Sequence, residues 1–338
     1  MTHPWSNHYP PGVAATLAPL AHSSLPEMLV AVAKEFDSAL AFTACLPNGM
    51  NGSLTFAQVD RHSDAFAAYL REDLRLEPGD RVAVQMPNGL AYPVVAFGIL
   101  KAGCVLVNTN PLYTASEIAQ QYTDADVSAV VVVDMFADRL APTLASLGDP
   151  PVVLVQLTEF FPRYVANTVR LVQRVWSRTL PRITFPATRL VDALRSGAMR
   201  APADPSTYWR DIGPDTLAAL QYTGGTTGVS KGAMLTHGNL LSNAEQMLQL
   251  IGGAIRPGLE CVLTALPLYH IFAFTVNLLG FVEARTTCWC LHPDPRRTSS
   301  EPWKSTRSPG SPGSTPCSMR CAKSDGSSTT RQLTCAPR

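Results

Sequence analysis

Four short apolar runs constrain the sheet this chain can build: RVAVQM from Arg81, CVLVN from Cys104, VSAVVVV from Val127 and PVVLVQL from Pro151. Each is nearly continuous in Val and Leu rather than alternating with polar residues. That is the pattern of strands covered on both faces. Between the first two runs, Gly89–Lys101 reads as a helix. Upstream, LTF leads into a predicted helix over Phe56–Leu70, with Val59, Phe66 and Leu70 on one apolar stripe. PGD at Pro78–Asp80 reads as a turn. Strands and helices alternating in this way predict an α/β fold with mixed sheets flanked by helices.

The character changes from Phe161 to Ile183, where Arg163, Arg170, Arg174, Arg178 and Arg182 occur without an acidic residue. The spacing of four stacks Arg170, Arg174 and Arg178 on one helix face. Val165, Val169, Val172 and Trp176 form an apolar stripe, and Pro181 ends the helix. Two readings stand: a surface helix with its stripe packed inward, or a helix lying on anionic lipid. Pro202 and Pro205 mark a linker, and a second α/β stretch opens near Asp211. There LAALQYT and KGAMLTH read as strands, and Asn239 as the cap of a helix that buries Leu240, Leu241, Ala244, Leu248 and Ile251. CVLTALP is a further strand ending at Pro267, followed by an aromatic turn into a helix.

With 338 residues, 46% of them hydrophobic, the chain has room for two domains and a sizeable core. A net charge of +1 argues against nucleic-acid binding driven by bulk charge. The residues after Met1 show no signal-peptide pattern, and no run of eighteen apolar residues occurs. The nearest, AYPVVAFGILKAGCVLVN, is broken by Lys101 and two glycines, so the expected location is cytoplasmic. Cys45, Cys104 and Cys261 sit in apolar contexts as reduced buried thiols. Cys288, Cys290, Cys317, Cys321 and Cys335 crowd the end of the chain, but their spacing matches no common zinc pattern, so no metal ligands are assigned.

The chemistry concentrates in YTGGTTGVSKG, from Tyr222 to Gly232. Gly224, Gly225 and Gly228 let backbone N–H groups approach an anion closely. Thr223, Thr226, Thr227 and Ser230 offer hydroxyls, and Lys231 offers a charge. The alternative is a flexible Gly/Thr turn, although the stretch is longer than a common hairpin loop needs. The Walker pattern fails because Ser230 precedes Lys231 and Gly232 follows it. G-x-G-x-x-G is absent as well.

Thr223–Gly232 instead resembles the phosphate loop of adenylate-forming enzymes, [ST]-[SG]-G-[ST]-[ST]-G-x-[PAS]-K-G, at every position. Residues 20–284 look like a long-chain fatty-acid–CoA ligase of that superfamily. LTFAQVD, LEPGDRVAVQMPNGLAYPVVAFGILKAGCVLVNTNPLYT and LPLYHIFAF carry the likeness outside the loop. The resemblance implies that a fatty-acid carboxylate attacks the α-phosphate of ATP, releasing pyrophosphate, and that coenzyme A then displaces AMP. It implies that Thr223, Gly224, Gly225, Thr226, Thr227, Gly228 and Lys231 hold the ATP phosphates, with Mg2+ offsetting charge. His270 would sit near the adenylate and the mouth of the acyl tunnel. Without the family, His270 is a lone histidine in an aromatic run, as easily a core residue as a ligand contact. The family's adenine segment GYGxTE, its ribose-binding aspartate, its hinge and the domain with its catalytic lysine are not found in these residues.

After Ala284 no apolar period of either kind continues, and the Ser/Pro-rich stretch reads as a disordered tail. One permitted back-translation of Ser308–Ala322, regrouped by a single base, reads ITWITGVNTLFNALC, close to the family's own next segment. A frameshift near the codons for Glu283–Thr286 is therefore expected. The chain divides into a first α/β subdomain (1–160), the basic helix and linker (161–210), the start of a second α/β subdomain carrying the phosphate loop (211–284) and a non-native tail (285–338). The amino-terminal part of a ligase, inactive alone, is the first reading. The alternatives are a non-catalytic fatty-acid or membrane-surface binding module, and the remnant of an aryl or medium-chain acid–CoA ligase.

Overall fold

The Val-rich runs do become adjacent parallel strands. The computed structural model describes residues 4, 8–10, 13–14, 16–46, 49–176, 179–223, 230–251 and 255–291. The chain opens with α1 (Leu25–Glu35), β1 (Leu40–Cys45), β2 (Asn51–Thr55) and α2 (Phe56–Ala68). Next come β3 (Arg81–Gln85), α3 (Ala91–Lys101), β4 (Val105–Asn108), α4 (Ala115–Asp124) and β5 (Val127–Val133). Then follow α5 (Ala137–Leu140), β6 (Val152–Val155), α6 (Arg163–Leu171), β7 (Thr188–Arg189) and α7 (Leu190–Arg200). The last elements are β8 (Leu217–Thr223), β9 (Lys231–Thr236), α8 (His237–Ile251), β10 (Cys261–Thr264), α9 (Ile271–Ala273), α10 (Phe281–Glu283) and β11 (Thr287–Leu291).

Seven strands form one sheet in the order β7-β6-β5-β3-β4-β8-β9. All neighbours are parallel except β8 and β9, which pair antiparallel. Side chains alternate between two cores, as a strand period of two requires. Val82, Val84, Leu106, Val131 and Val153 face one core, while Ala83, Val107, Val130, Val132 and Val152 face the other. β8 and β9, from 211–284, extend the sheet that the first 160 residues build. A second sheet has the order β10-β11-β1-β2. β11 runs parallel to both of its neighbours, β10 and β1. The rest of the stretch read as a tail, 292–338, lies outside the described residues.

Local signals explain the element ends. Thr55 caps α2 in a reciprocal box with Gln58, and Thr114 caps α4 with Glu117 in the same way. Gly79, at φ 92°, makes the PGD turn. Lys101, which breaks the apolar run in sequence, is fully buried. Its Nζ lies 2.5 Å from Asp60 Oδ1 and 2.7 Å from Asp64 Oδ1, tying α3 to α2. Among the described residues, no helix is long and apolar enough to cross a membrane.

Five expectations are corrected. The basic helix stops being α-helical at Leu171 and ends in a π turn over Val172–Trp176. Val165 is buried and Val169 packs on the core, but Val172 and Trp176 are exposed. A π turn shifts the helical phase, so the stripe no longer points inward. Asn239 is not the cap of α8. Thr236 is: Asn239 N–H donates to Thr236 Oγ1, and Thr236 N–H donates to Asn239 Oδ1, each at 3.1 Å. Leu248 and Ile251 on that helix are only half-buried. β10 ends at Thr264, before Pro267, and Cys261 is half-buried. Cys45 and Cys104 are buried, and burial pushes their thiols up to about 11 and about 12.

Candidate functional site

The carboxyl ends of β3, β4 and β8 bring together a line of polar side chains where a parallel α/β sheet usually holds ligands. β8 and β9 frame the Gly/Thr loop. Their register pairs Thr223 with Lys231, Tyr222 with Gly232 and Gln221 with Ala233. Directly opposed residues of an antiparallel pair share a face, and so do residues two apart on one strand. Thr223, Lys231 and Gln221 therefore lie on one face, with Tyr222 and Gly232 on the other.

On the first face, Thr223 and Lys231 are exposed. Ser230 Oγ donates to Thr223 O at 3.0 Å and draws the base of the loop together. Lys231 is in no ion pair among the described residues. Gly224, Gly225, Thr226, Thr227 and Gly228, the centre of the predicted loop, lie outside the described residues, as does Arg178.

On the second face, the Tyr222 hydroxyl donates to Asp124 Oδ2 at 2.5 Å. Burial, reinforced by that carboxylate, holds the phenol well above its usual range. Gly232 lies flat against this ring: a Cβ there would stand 2.9 Å from Tyr222 Cζ. Glycine at the residue after Lys231 is thus a packing requirement.

His270 sits beside this hairpin through a hydrogen-bond relay. Gln221 Nε2 donates to Tyr269 O at 3.3 Å, and Asn108 Nδ2 donates to Gln221 Oε1 at 3.3 Å. The Tyr92 hydroxyl lies 2.6 Å from Asn108 Oδ1 and 2.9 Å from Leu268 O, a donor shared between two acceptors. Asn88 clamps the same segment: Leu268 N–H donates to Asn88 Oδ1 at 2.7 Å, and Asn88 Nδ2 donates to Leu266 O at 2.9 Å. The turn closes with His270 N–H donating to Pro267 O and Phe274 N–H to His270 O. His270 itself is exposed, between the exposed side chains of Leu266 and Phe272.

The core-histidine reading of His270 is therefore corrected. Among the described residues the buried histidine is His237, whose Nδ1 accepts from Leu25 N–H at 3.2 Å and which burial pushes down to about 4. Sequence reasoning did not single out Asn88, Tyr92, Asn108 or Gln221. Asn88 and Asn108 were signalled only as polar residues closing apolar runs, and Tyr92 and Gln221 only as polar-tipped residues within them. Among the described residues, no group of three or more His, Cys, Asp or Glu is placed to hold a metal ion.

The profile of a family described as AMP-binding enzyme matches residues 30–308. Long-chain-fatty-acid–CoA ligases of Escherichia coli and Salmonella typhimurium are 41% identical over 280 residues, covering 82% of this chain and 48% of theirs. That of Haemophilus influenzae is 38% identical over 288 residues, covering 84% and 49%. The chain spans about half the length of the curated relatives it matches. Among solved structures, a long-chain-fatty-acid–CoA ligase from Archaeoglobus fulgidus superposes with a TM-score of 0.62 at 21% identity, over 84% of this chain and 49% of that one. A benzoate–CoA ligase from Burkholderia xenovorans gives 0.60 at 20% identity, over 79% and 45%. At such identities the likeness is one of fold.

Proposed function

Because the chain belongs to the AMP-binding enzyme family, we propose that it carries the ATP-phosphate half of a long-chain-fatty-acid–CoA ligase site. The observation that carries this reading is the register of Thr223 against Lys231 on one exposed face, beside the pinned His270 turn. A cradle for a polyphosphate needs donors at its base: Lys231 and the Thr223 hydroxyl stand there, and Ser230 braces the loop through its bond to Thr223 O. Gly224, Gly225, Thr226, Thr227 and Gly228 complete it in this reading. In this reading Mg2+ would accompany the nucleotide and offset the charge of its phosphates.

The chemistry implied is attack of a fatty-acid carboxylate on the α-phosphate with loss of pyrophosphate, then thioester formation as the coenzyme A thiol displaces AMP. His270, flanked by Leu266 and Phe272, is read as lining the point where the acyl chain meets the adenylate. A long-chain acid is preferred over an aryl acid because the ligases 41% identical to this chain bear that name. The adenine, ribose and catalytic-lysine segments are not read in residues 1–338, so this chain alone is expected to be inactive.

Transfer of residues 217–236 into the Escherichia coli relative tests the reading. The chimera should form palmitoyl-CoA from palmitate, ATP and coenzyme A, and Lys231→Ala within it should lower kcat/KM by about a hundredfold. A folded chimera without activity contradicts the proposal. The purified chain by itself should give no thioester, and clear turnover would overturn the expectation of inactivity.

A further inference from the structure

A cleft of about 420 Å3 lies at the amino ends of β3, β4 and β8, the opposite end of the sheet from the phosphate hairpin. β8 runs about 20 Å from Leu217 in this cleft to Thr223 at the hairpin, so the two sites are separate. Arg71 lines the cleft with a side chain only 20% exposed. Its guanidinium has no hydrogen-bond acceptor among the described residues, and its Nη1 is buried. Nη2 stands 3.7 Å from Glu77 Oε2, beyond hydrogen-bond reach, and that carboxylate is mostly in water. The guanidinium carbon lies 6.0 Å from the centre of the Tyr208 ring. The Tyr208 hydroxyl donates to Glu72 Oε1 at 2.8 Å, which fixes the ring. A half-buried guanidinium without an acceptor is costly, and a planar carboxylate is the acceptor its fork matches. Asp211, exposed on the same cleft, has no side-chain partner among the described residues. Val105, Ile212 and Leu217 give the lining its apolar surface.

We propose that this cleft binds a free apolar α-amino acid, its carboxylate on Arg71, its ammonium on Asp211 and its side chain against Ile212 and Leu217. A lone anion would meet Arg71, but the charges of Asp211 and Glu77 would oppose it. A lone cation would leave Arg71 without an acceptor. A zwitterion pairs both charges, and the cleft has room for an aromatic side chain besides. Binding here uses neither Lys231 nor the Gly/Thr loop.

Calorimetric titration of the full chain tests the proposal. Phenylalanine should bind. Hydrocinnamate and phenethylamine, which each lack one of its charged groups, should bind at least about tenfold more weakly. Arg71→Gln should weaken phenylalanine by at least about tenfold and leave phenethylamine unchanged. Asp211→Asn changes an exposed side chain and should leave the fold intact. It should weaken phenylalanine by about tenfold and leave hydrocinnamate undiminished. Lys231→Ala should change none of these. No binding of phenylalanine at millimolar concentration, binding indifferent to either cleft variant, or binding lost in Lys231→Ala overturns the proposal.

Discussion

Thr223 and Lys231 are register partners across the β8–β9 ladder, which brings the first hydroxyl of the Gly/Thr loop and its only cation to the same rung. The next rung back pairs Tyr222 with Gly232, whose missing Cβ lets the ring lie flat. Gly232→Ala should therefore cost about 1–3 kcal/mol from overpacking. The ring cannot retreat, because its hydroxyl is held by Asp124. Thermal unfolding of the variant checks this, and an unchanged Tm would show that the ring gives way freely.

Asn88 holds the Leu266–Leu268 backbone with both ends of its amide. Asn88→Ala would strand a buried N–H and a carbonyl, costing about 1–3 kcal/mol. The loss should be local first. Hydrogen exchange at the Leu268 amide should speed up well before the rest of the sheet responds, and uniform protection would contradict the clamp.

Lys101 is buried against two carboxylates at 2.5 and 2.7 Å. Lys101→Met removes the cation and leaves Asp60 and Asp64 facing each other, at a cost of about 3–5 kcal/mol. Adding Asp60→Asn and Asp64→Asn should recover part of that loss, because the stranded charges are then gone. Urea unfolding of the single and triple variants measures both steps.

His237 gives a pH dependence with a definite sign. Burial disfavours its charged form and lowers it from 6.5 to about 4, while the unfolded chain takes up the proton near 6.5. Stability is therefore full above pH 6.5 and falls as pH drops through the window to 4, by about 3 kcal/mol at the bottom. His237→Asn keeps an acceptor for Leu25 N–H and cannot titrate, so its profile should be flatter across that window. Parallel profiles would show that His237 is not the group responsible.

The central parallel strands were readable because an uninterrupted Val run has few other places to go than a sheet covered on both faces. α4 carries an equally local signal, Thr114 and Glu117 at capping-box spacing, but it is not among the predicted helices. Other features depended on contacts far apart in sequence. β11 lies between β10 and β1, and nothing local in Thr287–Leu291 specifies a partner at Phe42–Cys45. The Phe161–Ile183 stripe was legible as a helix, but the π turn at Val172 that rotates its far end was not. Of two histidines in mixed surroundings, His270 lies outside and His237 inside. His237 lies where Leu25 at the start of α1 donates to it, a contact 212 residues away in sequence. At the site, the loop motif was plain from its residues, while the Asn108–Gln221–Tyr269 relay joins three separate stretches.

The proposed function requires that this hairpin hold phosphate. Equilibrium binding of ATP, pyrophosphate and adenosine to the full chain, in the presence of Mg2+, measures it directly. ATP and pyrophosphate should compete for one site with comparable affinity, adenosine should not bind, and Lys231→Ala should weaken both anions by at least about tenfold. Failure of both anions to bind at millimolar concentration, or binding indifferent to Lys231→Ala, would contradict it.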